Sequence, residues 1–166
     1  AEPVHLVAGR EDVAVAGRVD DLSADDARTL VDALNRHFAE DGIAFVTPRP
    51  DTWFVTTNAR PDLVTVPLDT VLGSMMSPYL PTGGAARLWQ RWSTEIQMLL
   101  HAHPVNQARA RLGLPPCNGV WFWGGGQLAD VGLAAPFRVH AATGRAADLV
   151  RGLALASGGE AMALPG

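Results

Sequence analysis

The segment His103–Gly126, HPVNQARARLGLPPCNGVWFWGGG, places polar side chains at spacings that can bind an anion. Arg109 follows Asn106 by three residues, so a helical turn puts both side chains on one face. An arginine and an asparagine beside a concave backbone can hold a carboxylate or a phosphate. A surface arginine that pairs with a nearby acid is the alternative, and the residue types alone do not separate the two.

The end of this segment can also form a ligand site. Four successive apolar residues, Val120 to Trp123, are typical of a strand covered on both faces, as in a parallel α/β sheet. Gly124, Gly125 and Gly126 follow, and glycine permits positive φ and a close approach of the backbone. Ligands of open α/β sheets bind beyond the carboxyl ends of strands, so the glycines predict a site there. A buried strand followed by a tight turn is the alternative.

Other reactive side chains give no catalytic or metal site. His101 and His103 point roughly 200° apart on a helix, and they can share an ion only if Pro104 has already broken that helix. No acid or cysteine stands beside them to complete a ligand set. Cys117 lacks a CxxC partner and favours a buried thiol over a nucleophile. Fingerprints of dinucleotide, P-loop and hydrolase sites are missing.

Composition narrows the class of protein. The chain has 166 residues, is 48% hydrophobic and carries a net charge of −4, and no basic stripe interrupts it. We therefore expect no nucleic-acid partner. The sequence has no long apolar run and no signal peptide, which predicts a cytoplasmic protein without a membrane partner. The first residue is Ala1 rather than methionine, so a piece of a longer protein is expected.

The elements that must position these side chains change in order along the chain. The predicted elements are strands at 3–8 and 13–16, a helix capped by Ser23 that ends before Gly42, strands at 43–46 and 53–55, a short helix at 68–72, a helix at 85–101 with Met98 in the core, a short helix at 105–112 stopped by Gly113, a strand at 137–141 and a helix at 146–156. The first half is therefore α+β, and the last part has a βαβ rhythm.

The motifs of this sequence resemble those of a known family. The segment from His103 resembles the stretch that archaeal-type cofactor-independent phosphoglycerate mutases write as H-P-x-N, an arginine, G-x-x-P-x-N and a tryptophan-rich strand ending in glycines. The fragments EPVHLVA, DLSADDARTLVDAL, TVPLDTVLG and RVHAATGRAADLVRGLALASGGEAMALPG follow the family's order. Proteobacterial relatives labelled phosphoglycerate mutase or regulatory protein look most similar.

The resemblance implies a fold and a ligand site. It implies an alkaline phosphatase-like α/β fold, in which residues 1–102 are an inserted α+β cap domain and residues 103–166 are part of the core sheet. The ligand is expected to be a small phosphorylated acid, and no protein partner is implied. The expected ligand-binding residues are Asn106, Arg109, Asn118, Gly124, Gly125 and Gly126.

Two departures from the family bear on activity. Active members carry a Tyr-Arg-His-like stretch where this chain has Thr52-Trp53-Phe54, and a Pro-His-Asp where it has Pro67-Leu68-Asp69. The family's nucleophile belongs to a segment that would precede Ala1, and its divalent metals, such as manganese, are held by Asp and His residues that have no counterpart in this chain. We therefore expect no catalytic residue, metal ligand or cofactor here.

These observations leave two functions open. In the first, the chain is a fragment of a phosphoglycerate mutase-like protein that is inactive alone and serves as a regulatory or ligand-binding pseudoenzyme. Alternatively, it is the substrate-binding portion of an active metal-dependent mutase, an isomerase.

Overall fold

A computed structural model describes residues 1–58, 61–126, 138–141, 152, 154 and 160–163. The elements in chain order are β1 (Glu2–Ala8), β2 (Val13–Arg18), α1 (Ala24–His37), β3 (Ile43–Arg49), β4 (Thr52–Thr57), α2 (Leu68–Val71), a 3₁₀ turn (Ser77–Tyr79), α3 (Ala86–His101), α4 (Pro104–Arg111), β5 (Gly119–Trp121), β6 (Arg138–Ala141) and β7 (Glu160–Ala163). The mixture of helices and strands confirms a mixed α/β class at this coarse level. The chain divides into two compact units, Ala1–Gly125 and Gly126–Gly166.

The first unit contains a three-stranded antiparallel sheet with the order β2-β1-β5. β1 and β2 form the predicted hairpin, with Val7 opposite Ala14. β5 was expected in a parallel sheet, and this expectation is wrong because β5 runs antiparallel to β1, with Glu2 opposite Trp121. An apolar run signals burial on both faces but carries no information about the direction of the neighbouring strand.

The expected burial of this strand on both faces is confirmed. Val120 and Phe122 belong to a core cluster that also contains Phe38 and Trp89. Trp121 lies between them in sequence and joins a second cluster around Leu68. Because successive side chains of a strand point to opposite faces, one short strand anchors both clusters. Trp123 is 40% exposed, so the buried run ends one residue earlier than its apolar composition suggests.

The helix α1 forms as predicted and supports a second, two-stranded sheet. The Ser23 side chain accepts a hydrogen bond of 3.0 Å from Asp26 N–H, which satisfies one unpaired amide at the helix start. The buried stripe of α1 packs against the β3–β4 hairpin. Asn35 on α1 fixes that hairpin, since its side chain accepts from Phe45 N–H at 2.7 Å and donates to Phe45 C=O at 2.9 Å.

The helix α3 lies where it was predicted and closes the larger cluster. Trp89, Trp92, Ile96 and Leu100 are buried along one side of it. Trp89 packs edge-on against Phe122 with ring centroids 4.8 Å apart. Met98 was expected in the core, and this is wrong because its side chain is 70% exposed. Position 98 lies two residues from both Ile96 and Leu100, so the helical period turns it away from the buried face.

In the second unit, β6 and β7 pair in parallel, with Arg138 opposite Glu160 and Ala141 opposite Ala163. The strand predicted at 137–141 is confirmed at Arg138–Ala141. The helix predicted at 146–156 lies outside the described residues except at Gly152 and Ala154, which are helical. The division between the two compact units falls after Gly125. The assignment of cap and core to these segments stays a prediction.

We expect Gly119→Ala to destabilise the first unit by about 1–3 kcal/mol, as overpacking of a dense core does. A Cβ at Gly119 would lie 2.9 Å from Leu6 Cγ and 3.3 Å from Val4 Cγ2, and all three residues are buried. Gly125→Ala is the matched control, because a Cβ there meets no atom of the described part of the chain within 4 Å. Urea unfolding followed by tryptophan fluorescence measures both variants. Equal free energies of unfolding for the two variants would contradict this packing.

Candidate functional site

The predicted site begins at a short helix with well-formed ends. His103 is the N-cap of α4, and its Nδ1 accepts a hydrogen bond of 3.3 Å from Val105 N–H. Pro104 follows at the first helical position, where its missing N–H costs nothing. Gly113 ends the helix with φ of 71°. The breaks predicted at Pro104 and Gly113 are therefore confirmed, and the His103 ring serves the backbone.

Asn106 lies in the interior and uses its whole amide group. Its Nδ2 donates to Leu100 C=O at 2.7 Å and to Cys117 C=O at 2.8 Å. Its Oδ1 accepts from Cys117 N–H at 2.8 Å. The side chain thereby joins the end of α3 to the segment that leads into β5. Both amide hydrogens and the carbonyl oxygen are engaged within the protein.

Arg109 is buried and also ties backbone segments together. Its Nε donates to Pro115 C=O at 3.0 Å, and its Nη2 lies 2.5 Å from Asp21 Oδ1. Asp21 precedes α1, so this ion pair links α4 to the start of the first long helix. The alternative, a surface arginine that pairs with a nearby acid, was right about the acidic partner. It was wrong about the position, because Arg109 is buried. A buried guanidinium needs such a partner, because an uncompensated charge in the core is costly.

Asn118 continues the sheet at the beginning of β5. Its Oδ1 accepts from Leu6 N–H at 2.7 Å, and its Nδ2 donates to Leu6 C=O at 2.8 Å. The amide side chain thus takes the place of one more strand residue opposite β1. Nearby, His5 Nδ1 lies 3.0 Å from Pro116 C=O and can donate to it. Asn106, Arg109 and Asn118 are brought into one segment, where each bonds to the protein itself.

The glycine turn is open to solvent. Gly124 has φ of 70°, and its N–H donates to Thr65 Oγ1 at 3.3 Å. A Cβ at Gly124, Gly125 or Gly126 would meet no atom of the described residues within 4 Å, so close approach to that part of the chain does not explain these glycines. Positive φ explains the first of them. The predicted strand followed by a glycine turn is confirmed.

A cluster of charged residues beside the turn was missed by the sequence analysis. Glu2 is 4% exposed, and its carboxylate accepts from Trp123 Nε1 at 2.8 Å and from Arg18 Nε at 3.0 Å. Arg18 Nη2 donates to Asp69 at 2.6 Å. Burial opposes the charge of Arg18, while the two carboxylates raise its pKa. A single acid ahead of an apolar strand carries no signal of burial, so the sequence offered no means of finding this cluster.

The described residues do not furnish a metal centre or an activated thiol. Among the described residues, no three His, Cys, Asp or Glu side chains are grouped as metal ligands would be. Of the paired histidines, His103 caps α4 and His101 is exposed. Burial raises the pKa of the Cys117 thiol to about 12, so Cys117 stays protonated at neutral pH. The divalent metal implied by the family resemblance therefore does not fit the described residues.

The hydrogen bonds of the predicted ligand site determine which of its groups remain exposed to a ligand. The side chains of Asn106, Arg109 and Asn118 use their hydrogen-bonding atoms for the backbone and for Asp21, whereas the glycine turn keeps an open surface. Binding of a phosphate through the three side chains would first require those bonds to break. The ligand-binding role of these six residues stays a prediction.

Known proteins of similar sequence are named for one activity. The chain is 31% identical over 106 residues to the 2,3-bisphosphoglycerate-independent phosphoglycerate mutase of Methanothrix thermoacetophila, an alignment that covers 63% of this chain and 27% of that protein. It is 26% identical over 162 residues to the enzyme of Methanosarcina barkeri, covering 90% of this chain and 40% of the relative. For the probable mutase of Geobacter sulfurreducens the identity is 28% over 143 residues, with 82% and 35% covered.

These matches confirm the resemblance to archaeal-type cofactor-independent phosphoglycerate mutases that the motif indicated. The chain spans about a quarter to two fifths of the length of these relatives. No protein-family model matches the chain, and no solved structure matches it. No helix in the described part of the chain combines the length and the apolar character needed to cross a bilayer.

We expect Asn106→Ala to destabilise the protein by several kcal/mol. The substitution leaves both backbone groups of Cys117 unpaired, and each buried unpaired group costs about 1–3 kcal/mol. Leu100 C=O keeps its bond from His103 N–H. Gln107→Ala is the matched control, since the neighbouring side chain is exposed and makes one bond to Ala102 C=O. Chemical denaturation measures both. A loss no larger in Asn106→Ala than in Gln107→Ala would refute the bridging role.

The free energy of unfolding should decrease as pH falls below about 6.5, in part through His103. Partial burial, with a smaller effect from the charge of Arg36, lowers the pKa of His103 below its usual value of 6.5. The unfolded chain therefore takes up the proton more readily than the folded chain, so acid favours unfolding. Protonation also removes the Nδ1 acceptor that caps α4.

The His103→Asn variant tests this, because asparagine is a good N-cap that does not titrate in this range. Denaturation at pH 7.5 and pH 5.5 should show a smaller difference in the variant than in the wild type. His101→Asn is the control, because His101 is exposed and should leave the difference unchanged. An identical pH dependence in wild type and His103→Asn would rule out this contribution.

Proposed function

We propose that this chain is a fragment of a phosphoglycerate mutase-like protein in which the first unit is an inserted segment, and that the chain has no catalytic centre of its own. One observation carries the first part of the proposal. The first strand and the last strand of unit 1 are neighbours, with Glu2 opposite Trp121 and Val4 opposite Gly119. A domain inserted into another fold needs its two connections side by side, because the host chain continues from nearly the same point. The pairing of β1 with β5 supports that arrangement.

The positions that depart from active relatives support the second part. Trp53 and Leu68 stand where the resemblance places a basic or histidine-containing stretch, and both are fully buried in apolar clusters. In this chain both side chains are apolar and pack into the core, so neither supplies a charge to an anionic substrate. Phosphoryl transfer needs cations around the phosphate, so the loss of these groups favours an inactive relative over a working mutase.

The role we propose for such a chain is regulatory or ligand-binding. The polar side chains of the motif stabilise the joint between α3, α4 and β5, which explains their spacing without a substrate. The open glycine turn is the part of the motif that can still accept a small phosphorylated acid through its backbone.

The alternative is that the chain is the substrate-binding portion of an active mutase. The activity for which the relatives are named supports it. In that case the nucleophile and the divalent metals, such as manganese, belong to other parts of the parent protein. The residues of this chain would then contribute the shape of the site and the exposed backbone at the glycine turn.

The purified chain should not convert 3-phosphoglycerate to 2-phosphoglycerate, nor hydrolyse a chromogenic phosphate ester, when manganese is added. An enolase-coupled assay measures the first reaction, and absorbance of the released phenolate measures the second. The Methanosarcina barkeri mutase serves as the positive control. Turnover that co-purifies with the chain and disappears with a chelator would contradict the proposal. Calorimetric titration with 3-phosphoglycerate then separates a ligand-binding role from a purely structural one.

A further inference from the structure

Asn118 and Gly119 form the one Asn-Gly pair of the 166-residue sequence, and the fold requires each of them for a different reason. The Asn118 side chain binds both backbone groups of Leu6, the N–H at 2.7 Å and the C=O at 2.8 Å. Gly119 is the first residue of β5 and lies opposite Val4, where an added Cβ would come within 2.9 Å of Leu6 Cγ. One position thus needs an amide, and the next has no room for a side chain unless Leu6 moves.

An Asn-Gly pair is chemically labile when the chain around it is free to move. The Gly119 nitrogen attacks the side-chain carbonyl carbon of Asn118, a new C–N bond closes a succinimide ring, and the amide nitrogen leaves as ammonia with the proton of the attacking nitrogen. Water then opens either carbonyl of the ring, which gives aspartate or isoaspartate without any oxidation or reduction. Glycine after the asparagine favours the ring, because it lacks a side chain that would hinder the attack.

The folded protein holds this pair in an arrangement that opposes ring closure. The Asn118 carbonyl carbon must turn towards the Gly119 nitrogen, so the side chain has to release Leu6. Gly119 is buried and must leave its place opposite Val4 in the pairing of β1 with β5. The reaction therefore waits until this pairing opens, and its rate follows the population of the open state.

Neither product of the reaction can restore the contact with Leu6. An ionised aspartate accepts hydrogen bonds but does not donate them, so an acceptor would face Leu6 C=O where Asn118 Nδ2 now donates. Isoaspartate adds a methylene group to the main chain directly ahead of β5, which has three residues, Gly119–Trp121. That extra atom displaces the strand from its register against β1. Both products therefore weaken the joint that Asn118 makes.

We propose that Asn118–Gly119 is a deamidation site that the native fold protects and that makes a failure to fold permanent. A chain that has folded keeps the asparagine, because the bonds to Leu6 and the pairing of β5 exclude ring closure. A chain that stays open at β5 loses the amide, and hydrolysis of the ring does not return it. Such a chain can no longer form the β1–β5 joint at its original strength.

The test incubates the purified chain at mildly alkaline pH, either folded in buffer or unfolded in guanidinium chloride, and follows each asparagine by peptide mass spectrometry. Asn118 should deamidate at least about tenfold faster in the unfolded chain than in the folded chain. In guanidinium chloride it should also react at least about tenfold faster than Asn106, which precedes glutamine instead of glycine. Equal rates in the folded and unfolded chain, or at the two asparagines of the unfolded chain, would overturn the proposal.

Substitutions separate the reactivity of the dipeptide from its protection by the fold. In guanidinium chloride Gly119→Ala should slow the reaction at Asn118 at least about fivefold, a result that does not depend on whether the variant folds. Without denaturant, Asn106→Ala removes the neighbouring bonds to Cys117 and should accelerate the reaction at Asn118, whereas Gln107→Ala should leave it unchanged. Equal rates in these last two variants would contradict protection by the fold.

The Asn118→Asp variant tests the consequence of the reaction, because it reproduces one of the two products. Chemical denaturation should show an equilibrium constant for folding at least about fivefold lower than that of the wild type, since a donor to Leu6 C=O is replaced by an acceptor. Asn58→Asp is the control, because it makes the same change of charge at an exposed position and should have a smaller effect. Wild-type stability of Asn118→Asp would refute the weakening of the joint.

Discussion

The fold depends on one constraint, that peptide groups taken into the interior must be hydrogen-bonded. Short strands and short helices leave many of their backbone groups outside a regular ladder. Here three asparagine side chains supply the missing partners. Asn35 binds both backbone groups of Phe45, Asn106 those of Cys117 and Asn118 those of Leu6. Asparagine suits this role, because its amide carries a donor and an acceptor at the spacing of another peptide.

Each of these contacts joins segments that helices and sheets alone would leave apart. Asn35 attaches the β3–β4 hairpin to α1, and Asn106 attaches the start of β5 to the ends of α3 and α4. Asn118 extends the pairing of β5 with β1 across a separation of more than a hundred residues. Arg109 acts in the same way through Pro115 and Asp21. The motif that resembles the mutases is thus a structural joint in the first unit.

The sequence predicted the elements better than it predicted their partners. The helical period located α1 and α3, and the capping pattern at Ser23 and the stops at Pro104 and Gly113 were confirmed, because these signals act within a few residues. The antiparallel direction of β5 and the exposure of Met98 were not foreseen. The first depends on a strand far away in sequence. The exposure of Met98 could have been predicted only by giving its position on the helix more weight than its apolar residue type.

The polar residues of the site show even more clearly that sequence patterns do not predict which groups come into contact. Asn106 and Arg109 were recognised as partners on one helical face, but residue types cannot tell whether that face meets a ligand or the backbone of the same chain. The deciding information is the position of Cys117 C=O and of Asp21, which only the tertiary fold supplies. Glu2 and Arg109 are nearly inaccessible, so each needs an internal partner, which Arg18 and Asp21 supply. What remains accessible at the end of β5 is the Trp123 side chain and the glycine turn, whose backbone can contact an anion without any of the side chains named above.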